Sequence, residues 1–391
     1  MRLYSLIEIR YPGDGLDVVL AYPRLDHMGG AERVALDIAR NFNPVILTAA
    51  YEPKMTYPEF KEFDIRILPR SSVEKALFKE KSDRAFGMRF LESRIREDYD
   101  VINAHMTPSE FIRANNPRVC WTLHSPYRFA YDLYGYWMKR HSNLGKTGHF
   151  LMTEAFKIVE KGIVKKIEKV CPISEVADMR MRKYLNRHDG EIIHPGINPK
   201  EFSCNQYGRF FLYASRIVPE KRFTMAIEAF RRFSARNKGW KLVIAGFVQD
   251  VNGSYFKELK GQAQGLDIVF MPNLTTEKIR ELYSDCYATL FCAIDEDYGL
   301  APLESMASCK PCISVNEGGP KYTVVDGKTG FLVNGADEMA LRMEQLAGDI
   351  GMTEAFGKAG RARVGERYST EQFIRKFREA LKAVAAGKAP T

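Results

Sequence analysis

The sequence has 391 residues, of which 45% are hydrophobic and 27% charged, and its formal net charge is +9. This length suits two domains that each bury a core, and the positive charge favours an anionic partner such as a nucleoside diphosphate, an acidic lipid surface or a nucleic acid. Nucleic acid is disfavoured, because no Cys/His finger spacing, RNA-binding aromatic signature or dense basic tail accompanies the charge. No apolar stretch reaches the roughly 18 residues of a membrane-spanning helix, and residues 1–15 lack the apolar run of a signal peptide.

The first half of the chain alternates strand patterns with helical patterns. Strands are predicted at 16–22, 44–48, 65–68, 100–104, 119–123 and 170–174, with a charged helical segment over 74–96. This rhythm predicts a parallel, doubly wound sheet, in which ligands bind beyond the carboxyl ends of the strands.

A pair of glycines, Gly29 and Gly30, follows the first predicted strand. A helical pattern begins after them, with Val34, Ile38 and Phe42 on one side. The pair therefore lies at a helix N-terminus, where free amides and the helix dipole favour a phosphate. An ordinary turn is the alternative, because two glycines after a strand are weak evidence.

Two histidines, His105 and His124, end neighbouring predicted strands. A single histidine at a strand end is usually structural or solvated, but two at neighbouring carboxyl ends both face the ligand crevice. Further on, residues 127–169 contain nine Lys/Arg and four Asp/Glu, a net charge of +5, among many aromatics. Such a surface suits anionic lipid head groups and a lipid-linked acceptor, with a solvated helix face as the alternative.

A turn-rich segment, 192–199, separates the two halves, and the strand and helix rhythm restarts after it. We predict an N-terminal domain at 1–195, a C-terminal domain at 196–368 and a final helix within 369–391 that crosses back to the first domain. The second half predicts strands at 210–214, 241–246, 268–273 and 288–293, and helices from near 222 and at 339–346, 352–364 and 373–384.

The second half also concentrates charged residues on the loops that follow its strands. Arg216 and Lys221 share one strand-to-helix loop, where cations can bracket a diphosphate. Glu296 follows the strand at 288–293, and Glu304 lies eight positions on in a short helix, so the two carboxylates can face one ligand. The glycines at 318–319 can bring backbone amides close to an anion.

The stretch from Phe291 to Val333 resembles the donor-site signature of retaining glycosyltransferases of family 4, in which a Glu, seven residues and a second Glu precede a Gly-Gly loop and a TGFLV-type strand. The segment MGGAER resembles the loop that opens these enzymes, and WTLHSPYR resembles a segment of their mannosyltransferases. SRIVPEKR resembles the family's GR-x-x-PEK-G, with Ser215 and Arg222 replacing its first and last Gly. Tyr322 stands where the family commonly has Glu.

This resemblance implies a GT-B fold, two Rossmann-like domains facing across a cleft, and the retaining transfer of a hexose from a nucleoside-diphosphate sugar to a hydroxyl. It implies that Arg216 and Lys221 stabilise the diphosphate, that Glu296 holds the sugar hydroxyls, and that His124 orients the sugar. Glu304 is implied to bind the ribose. The donor-binding residues so implied are Gly29, Gly30, Gly246, Asn273, Tyr298, Gly299, Leu300 and Glu304.

The donor implied by HSPYR is GDP-mannose, used without metal or cofactor, and the acceptor is a glycan or a lipid-linked molecule. Three alternatives are a UDP-glucose or UDP-GlcNAc transferase, a catalytically silent nucleotide-sugar-binding protein, and a dehydrogenase. The last is disfavoured because Gly29-Gly30 lacks the GxGxxG spacing.

Two further patterns suggest metal or redox chemistry. Residues 295–297 resemble an Asp-x-Asp metal motif, which we discount because Arg and Lys are present to hold a diphosphate. Cys309 and Cys312 form a CxxC, but no second pair completes a zinc site, so packing thiols are expected. The seven scattered cysteines argue for a reducing compartment without disulfides, and a cytoplasmic protein, peripheral on the inner face of the membrane, is expected.

Overall fold

A computed structural model describes residues 5–7, 15–70, 72–77, 82–96, 98–138, 143–248 and 253–387. Of residues 1–15, where no signal peptide is predicted, only 5–7 and 15 are among the described residues. Lys139 and Arg140, two basic residues of the 127–169 segment, lie outside the described residues. The chain divides into two compact units. The first ends at His194 and is rejoined by the chain from Phe373 onward, and the second is Pro195–Gln372.

The first unit is a parallel sheet with helices between its strands. Its strands are β1 (Ser5–Ile7), β2 (Val18–Tyr22), β3 (Val45–Thr48), β4 (Ile65–Ile67), β5 (Ser93–Ile95), β6 (Val101–His105), β7 (Val119–Leu123) and β8 (Lys169–Pro172). Its helices are α1 (Gly30–Phe42), α2 (Ser72–Leu77), α3 (Asp83–Glu92), α4 (Tyr134–Met138), α5 (Asn143–Val164) and α6 (Glu175–Arg180). Short 3-10 turns occupy Pro58–Glu62 and Ser109–Ala114, and a π-helical turn occupies Met181–Leu185.

Six strands form one parallel sheet in the order β4-β3-β2-β6-β7-β8, while β1 pairs with β5 in a separate parallel ribbon. Every residue of β2, β6 and β7 is buried, as expected for parallel strands covered on both faces. The prediction of a single charged helix over 74–96 is wrong in part. The segment contains the end of α2, then α3, which Ser82 caps at its N-terminus, and finally β5.

The second unit repeats the design. Its strands are β9 (Phe210–Ala214), β10 (Lys241–Gly246), β11 (Ile268–Pro272), β12 (Ala288–Phe291), β13 (Cys312–Val315) and β14 (Gly330–Val333). Its helices are α7 (Phe223–Arg236), α8 (Ser254–Gln262), α9 (Thr276–Asp285), α10 (Leu300–Ala307), α11 (Pro320–Thr323), α12 (Ala336–Gly348) and α13 (Ile350–Arg367), with 3-10 turns at Pro199–Glu201 and Pro219–Lys221. The strands are parallel in the order β11-β10-β9-β12-β13-β14.

Both sheets therefore run outward from their first strand and then reverse to the other side. This is the strand order 3-2-1-4-5-6 of a Rossmann domain, whose ligand crevice opens where the order reverses. In the first unit the reversal lies between β2 and β6, and in the second between β9 and β12. The predicted fold class of two doubly wound α/β domains is confirmed.

The last helix, α14 (Thr370–Ala385), completes the first unit. Phe377 is fully buried, and its ring lies 5.8 Å from that of Phe42 at the end of α1. Arg378 stacks over the same Phe42 ring at 4.6 Å and hydrogen-bonds the Asn41 carbonyl. In the part of the chain that is described, no helix is both long and apolar enough to cross a membrane.

Candidate functional site

The centre of the second unit's site is the reversal point between β9 and β12. The loop after β9 carries Arg216 and Lys221, and the loop after β12 carries Glu296. Because β9 and β12 pair in parallel, their carboxyl ends meet at the same edge of the sheet. The sequence placed these residues on separate loops, and the sheet brings the loops together.

Lys221 and Glu296 form an ion pair with 2.6 Å between Nζ and Oε2. The lysine side chain is 12% exposed and the glutamate 29%, so the pair is partly desolvated yet open to a ligand. Phe291 lies below the lysine, with Nζ 5.8 Å from the ring centroid. A ligand that reaches this edge of the sheet would meet a cation and a carboxylate already held side by side.

Arg216 differs from Lys221, because its side chain is exposed and makes no hydrogen bond or ion pair with any residue the structure describes. An exposed guanidinium on the same loop as the paired Lys221 ammonium suits the capture of an anion.

Two residues to which the sequence analysis gave no role, Tyr213 and Arg222, fix the loops around this pair. The buried Tyr213 hydroxyl donates to the Lys221 carbonyl and accepts from the Cys292 amide at 3.1 Å. Arg222 has left-handed backbone geometry at φ 47°, a conformation that favours the Gly of the GR-x-x-PEK-G pattern that this segment resembles. Its Nε donates to the Cys292 carbonyl at 2.6 Å, and its Nη2 pairs with the Glu317 carboxylate.

The Gly318-Gly319 loop packs directly on the loop that carries Glu296. Gly318 has φ +64°, and a Cβ there would lie 2.5 Å from the Glu296 backbone nitrogen and oxygen. A Cβ on Gly319 would overlap the Tyr298 backbone, and the Gly319 amide donates to the Glu296 carbonyl at 2.7 Å. Close backbone packing therefore requires both glycines, independently of any anion.

The second carboxylate, Glu304, lies in α10 and is partly exposed. The buried Tyr283 hydroxyl of α9 hydrogen-bonds it, and burial together with this carboxylate raises the pKa of Tyr283 well above its usual value. The role of Tyr283 was not predicted, because a Tyr on the apolar face of an amphipathic helix is usually a core residue and does not indicate a contact with a carboxylate. This hydrogen bond orients Glu304.

The start of α10 holds three predicted donor-binding residues. Gly299 caps the helix in left-handed geometry at φ 86°, and Leu300 is its first residue. The Tyr298 side chain is buried, and its hydroxyl donates to the Pro195 carbonyl at 2.7 Å. Tyr298 therefore holds this loop against the linker, which leaves backbone groups as its means of contacting a donor.

Gly246 is the last residue of β10, and Asn273 is the first residue after β11. Gly246 has φ +145°, and a Cβ there would overlap the Ser215 carbonyl, so this glycine lets the loop after β9 pass close by. The Asn273 side chain accepts from the Val248 amide at 2.8 Å and donates to the Val248 carbonyl at 3.2 Å. Its amide thus shapes the 246–248 loop.

In the first unit, the two predicted histidines lie side by side. The Nε2 atoms of His105 and His124 are 2.8 Å apart, so one ring donates and the other accepts. Burial lowers the pKa of His124 to about 4, and burial with the neighbouring His124 lowers the pKa of His105 well below its usual value. Both rings are therefore neutral near pH 7.

The glycines after β2 lie beside a buried carboxylate. Gly29 caps α1, and the carboxylate of Glu32, 2% exposed, lies 2.7 Å from where a Gly29 Cβ would be. Glu32 accepts from the Tyr22 hydroxyl at 2.7 Å and pairs with His27 Nε2 at 3.1 Å. The helix start at Gly29 and Gly30, predicted to favour a phosphate, thus already has an anionic neighbour that the sequence argument missed.

The cysteine prediction is wrong in one respect. Cys309 is bonded to Cys204 in a disulfide with Cα atoms 5.4 Å apart. The two cysteines are 105 residues apart in sequence, so only the fold brings them together. Cys312 is a buried free thiol whose pKa burial raises to about 12, as expected for a packing residue. The prediction that the chain contains no disulfide is therefore wrong.

Among the residues described, no cluster of three or more His, Cys, Asp and Glu side chains has the arrangement of a metal site. The Asp295 to Asp297 turn instead presents Glu296 to Lys221, with Asp295 in left-handed geometry at φ 43°.

Two Rossmann-like units, each with the strand order 3-2-1-4-5-6, give the architecture of the GT-B class of glycosyltransferases. Two family models match the chain, "Glycosyltransferase Family 4" over residues 28–201 and "Glycosyl transferases group 1" over residues 197–363. The chain belongs to this family of glycosyltransferases and is an enzyme of that kind.

Curated relatives extend over nearly the whole chain. It is 24% identical to the alpha-1,3/1,6-mannosyltransferase ALG2 of Dictyostelium discoideum, covering 94% of this chain and 98% of that protein. The human ALG2 protein is 25% identical, with 91% and 93% covered.

Solved structures share the fold at low identity. Anabaena Alr3699/HepE, solved with UDP and glucose, superposes with a TM-score of 0.73 at 15% identity, covering 94% of this chain and all of that one. Sucrose-phosphate synthase of Thermosynechococcus elongatus also gives 0.73, at 18% identity, over 96% of this chain and all of that one.

Proposed function

We propose that this glycosyltransferase moves mannose from GDP-mannose to a hydroxyl of a glycan or lipid-linked acceptor, with retention of anomeric configuration and without a metal ion. The observation that carries the proposal is the Lys221 and Glu296 pair at the reversal point of the second unit, with the exposed Arg216 on the same loop.

The charges suit the proposed chemistry. Breaking the anomeric bond builds negative charge on the diphosphate and positive charge on the sugar, and preorganised groups of opposite sign stabilise both. Arg216 and Lys221 supply the cations, while Glu296 holds the sugar hydroxyls and Glu304, oriented by Tyr283, holds the ribose. In the first unit, the neutral His124 is available as a hydrogen-bond partner for a ligand.

In this proposal the leaving phosphate itself accepts the proton of the acceptor hydroxyl. No covalent glycosyl-enzyme is invoked, so the paired carboxylates of glycosidases are not a guide to Glu296 and Glu304.

The choice of mannose is supported by the HSPYR segment and by full-length relatives that are mannosyltransferases. A UDP-sugar donor is the second candidate, favoured by the fold neighbours solved with UDP and UDP-glucose and by a relative that transfers N-acetylglucosamine. The cysteine pattern no longer supports a cytoplasmic location, because Cys204 and Cys309 form a disulfide, and we keep only the proposal that the enzyme is peripheral on a membrane.

Donor screening tests the proposal directly. The thermal shift of the protein is measured with GDP-mannose, UDP-glucose and UDP-GlcNAc, and the largest shift is expected for GDP-mannose. Lys221→Met should abolish the shift, and Lys260→Met, an exposed lysine on α8, is the matched control that should retain it.

Turnover of the chosen donor is then followed with EDTA and by NMR of the product anomer. We expect activity that survives EDTA and a product that keeps the donor's configuration. Loss of activity restored by magnesium or manganese would refute metal independence. Donor binding without any turnover on glycan or lipid-linked acceptors would favour the catalytically silent alternative.

A further inference from the structure

Among the residues that the structure describes, helix α5 packs against the first unit through one face. On that inner face Thr153, Glu160, Ile163 and Val164 are buried. Glu160 accepts a hydrogen bond from the Tyr131 hydroxyl at 2.6 Å, and the Phe156 ring lies 5.5 Å from that of Phe111. The inner face therefore accounts for the packing of the helix without help from its outer face.

The outer face of α5 is also apolar. Leu151 is 62% exposed, Ile158 73% and Val159 43%. They share one side of the helix with Gly148, Ala155 and Gly162, because these positions recur three or four residues apart. Of the thirteen large hydrophobic side chains exposed in the described residues, five lie on α5. This concentration marks the face as a contact surface.

Positive charge borders the apolar face at its C-terminal end. Lys161, Lys165 and Lys166 are exposed there. The sequence from 143 to 166 contains only two carboxylates. Glu160 is buried, and Glu154 is paired with Lys157 at 2.8 Å. The surface therefore combines exposed apolar side chains with uncompensated lysines.

We propose that α5 docks this protein on an anionic lipid bilayer, with Leu151, Ile158 and Val159 in the acyl boundary and Lys161, Lys165 and Lys166 at acidic head groups. The apolar stretch from 148 to 162 is about 22 Å long at the helical rise per residue, and the lysines follow it directly. A helix of this kind lies in the plane of the interface.

A second copy of the chain fits this face less well. In a dimer through this face, two apolar surfaces with lysines at their borders would meet. On α5 no exposed carboxylate is left unpaired to neutralise the lysines of the other copy. Acidic lipid head groups supply the opposite charge along the whole border. The proposal is independent of which donor the enzyme uses.

Vesicle sedimentation tests the apolar contact. The full chain should bind vesicles containing phosphatidylserine, more weakly at high salt, and should bind pure phosphatidylcholine vesicles poorly. Leu151→Glu and Ile158→Glu should each lower the partition coefficient at least about tenfold. Leu341→Glu, at a side chain 57% exposed on α12 of the second unit, is the matched control and should bind like wild type.

The lysine contribution is measured separately. Changing Lys161, Lys165 and Lys166 to Gln should weaken binding by about fivefold per residue and remove most of the salt dependence. Thermal unfolding and donor-induced thermal shift of every variant should match wild type, so a failure of docking is distinguished from a failure of the proposed reaction. Equal vesicle binding by wild type and Leu151→Glu would overturn the proposal, as would a stable dimer that Ile158→Glu splits.

Discussion

The pairing of Lys221 with Glu296 is the feature that most changes the interpretation of single residues. The resemblance to family 4 implies separate contacts, of the lysine with the diphosphate and of the glutamate with the sugar. Their 2.6 Å ion pair means that each carboxylate or ammonium variant also alters its partner. Glu304, by contrast, is oriented by Tyr283, a residue in another helix.

We predict that the two glutamates separate in kinetics. Glu304→Gln should chiefly raise the donor KM, by an amount that corresponds to a loss of about 1.5–3 kcal/mol in binding free energy. The reason is that the substitution weakens charged hydrogen bonds to a ribose that changes little during reaction. Glu296→Gln should lower kcat while donor binding weakens less, since the sugar changes most in the transition state and Lys221 is released to the phosphates. Donor titration and single-turnover rates measure both, with Glu220→Gln, exposed on the Lys221 loop, as control. The opposite pattern would reverse the assignment.

A second residue-scale prediction concerns acid stability. The folded-state pKa of His105 lies well below its usual value. As pH falls through about 6.5, the imidazole is therefore protonated in the unfolded chain but not in the folded one. This difference lowers the free energy of unfolding by up to about 1.4 kcal/mol for each pH unit. The destabilisation caused by His105→Asn should therefore shrink by about 1–2 kcal/mol between pH 7 and pH 5.

Urea unfolding of wild type and variant at each pH gives this difference. Comparing the two chains cancels the opposite effect of Glu160, whose pKa burial raises to about 7 and whose protonation stabilises the fold as pH falls. His188→Asn, at an exposed imidazole outside the buried pair, is the control variant. A pH-independent cost for His105→Asn would mean that the imidazole is not held neutral.

At the scale of elements, three loops of the second unit act as one structure. Arg222, after β9, bonds the Cys292 carbonyl after β12 and the Glu317 carboxylate after β13. The Gly319 amide then bonds the Glu296 carbonyl. The arginine thus supports the loops that carry Lys221 and Glu296.

We predict that Arg222→Gly leaves stability within about 1 kcal/mol, because relief of the left-handed backbone offsets part of the lost bonding. It should nevertheless lower kcat/KM for the donor about tenfold, since the loops lose their common support. Arg222→Ala should lose activity equally and be about 1 kcal/mol less stable than Arg222→Gly. Activity retained by both variants would show that the guanidinium has no positioning role.

The disulfide joins the segment before β9 to the end of α10, the helix of Glu304. Thiol titration of denatured, unreduced protein should count five of the seven cysteines, and all seven after reduction. Cys204→Ser should lower the free energy of unfolding by about 2–4 kcal/mol, and added reductant should then have no further effect. Seven reactive thiols without reductant would contradict the bond.

At the scale of the whole molecule, the chain builds the same six-stranded order twice and returns its last helix to the first unit. Helix α14 has a buried apolar face that includes Phe373, Phe377 and Leu381, and Phe377 contacts Phe42. The C-terminal helix therefore belongs to the core of the unit that contains the N-terminal sheet.

We predict that Phe377→Ala destabilises the first unit by about 3–5 kcal/mol. In a Trp240→Phe background the two remaining tryptophans, both in the first unit, report its unfolding by fluorescence. Glu379→Ala, on the exposed side of α14, should change stability by less than about 0.5 kcal/mol. An unchanged transition for Phe377→Ala would show that α14 is dispensable for the first unit.

The sequence by itself determined the fold class, nearly every strand, and the loops on which Arg216, Lys221, Glu296 and Glu304 lie. Strand periodicity and glycine positions are local signals, and the parallel rhythm fixes which ends of the strands meet a ligand. The break of the 74–96 segment into α2, α3 and β5 was missed, because charged residues with helical spacing do not reveal a short edge strand.

The tertiary structure alone decided which of these groups touch. The contacts of Lys221 with Glu296, of Tyr283 with Glu304 and of His105 with His124 each join residues from different elements, and sequence spacing carries no signal for them. Cys204 and Cys309 are likewise brought together only by packing across 105 residues. The sequence specifies residues at strand ends, but charge pairing and burial are properties of neighbouring strands, which exist only once the sheet has formed.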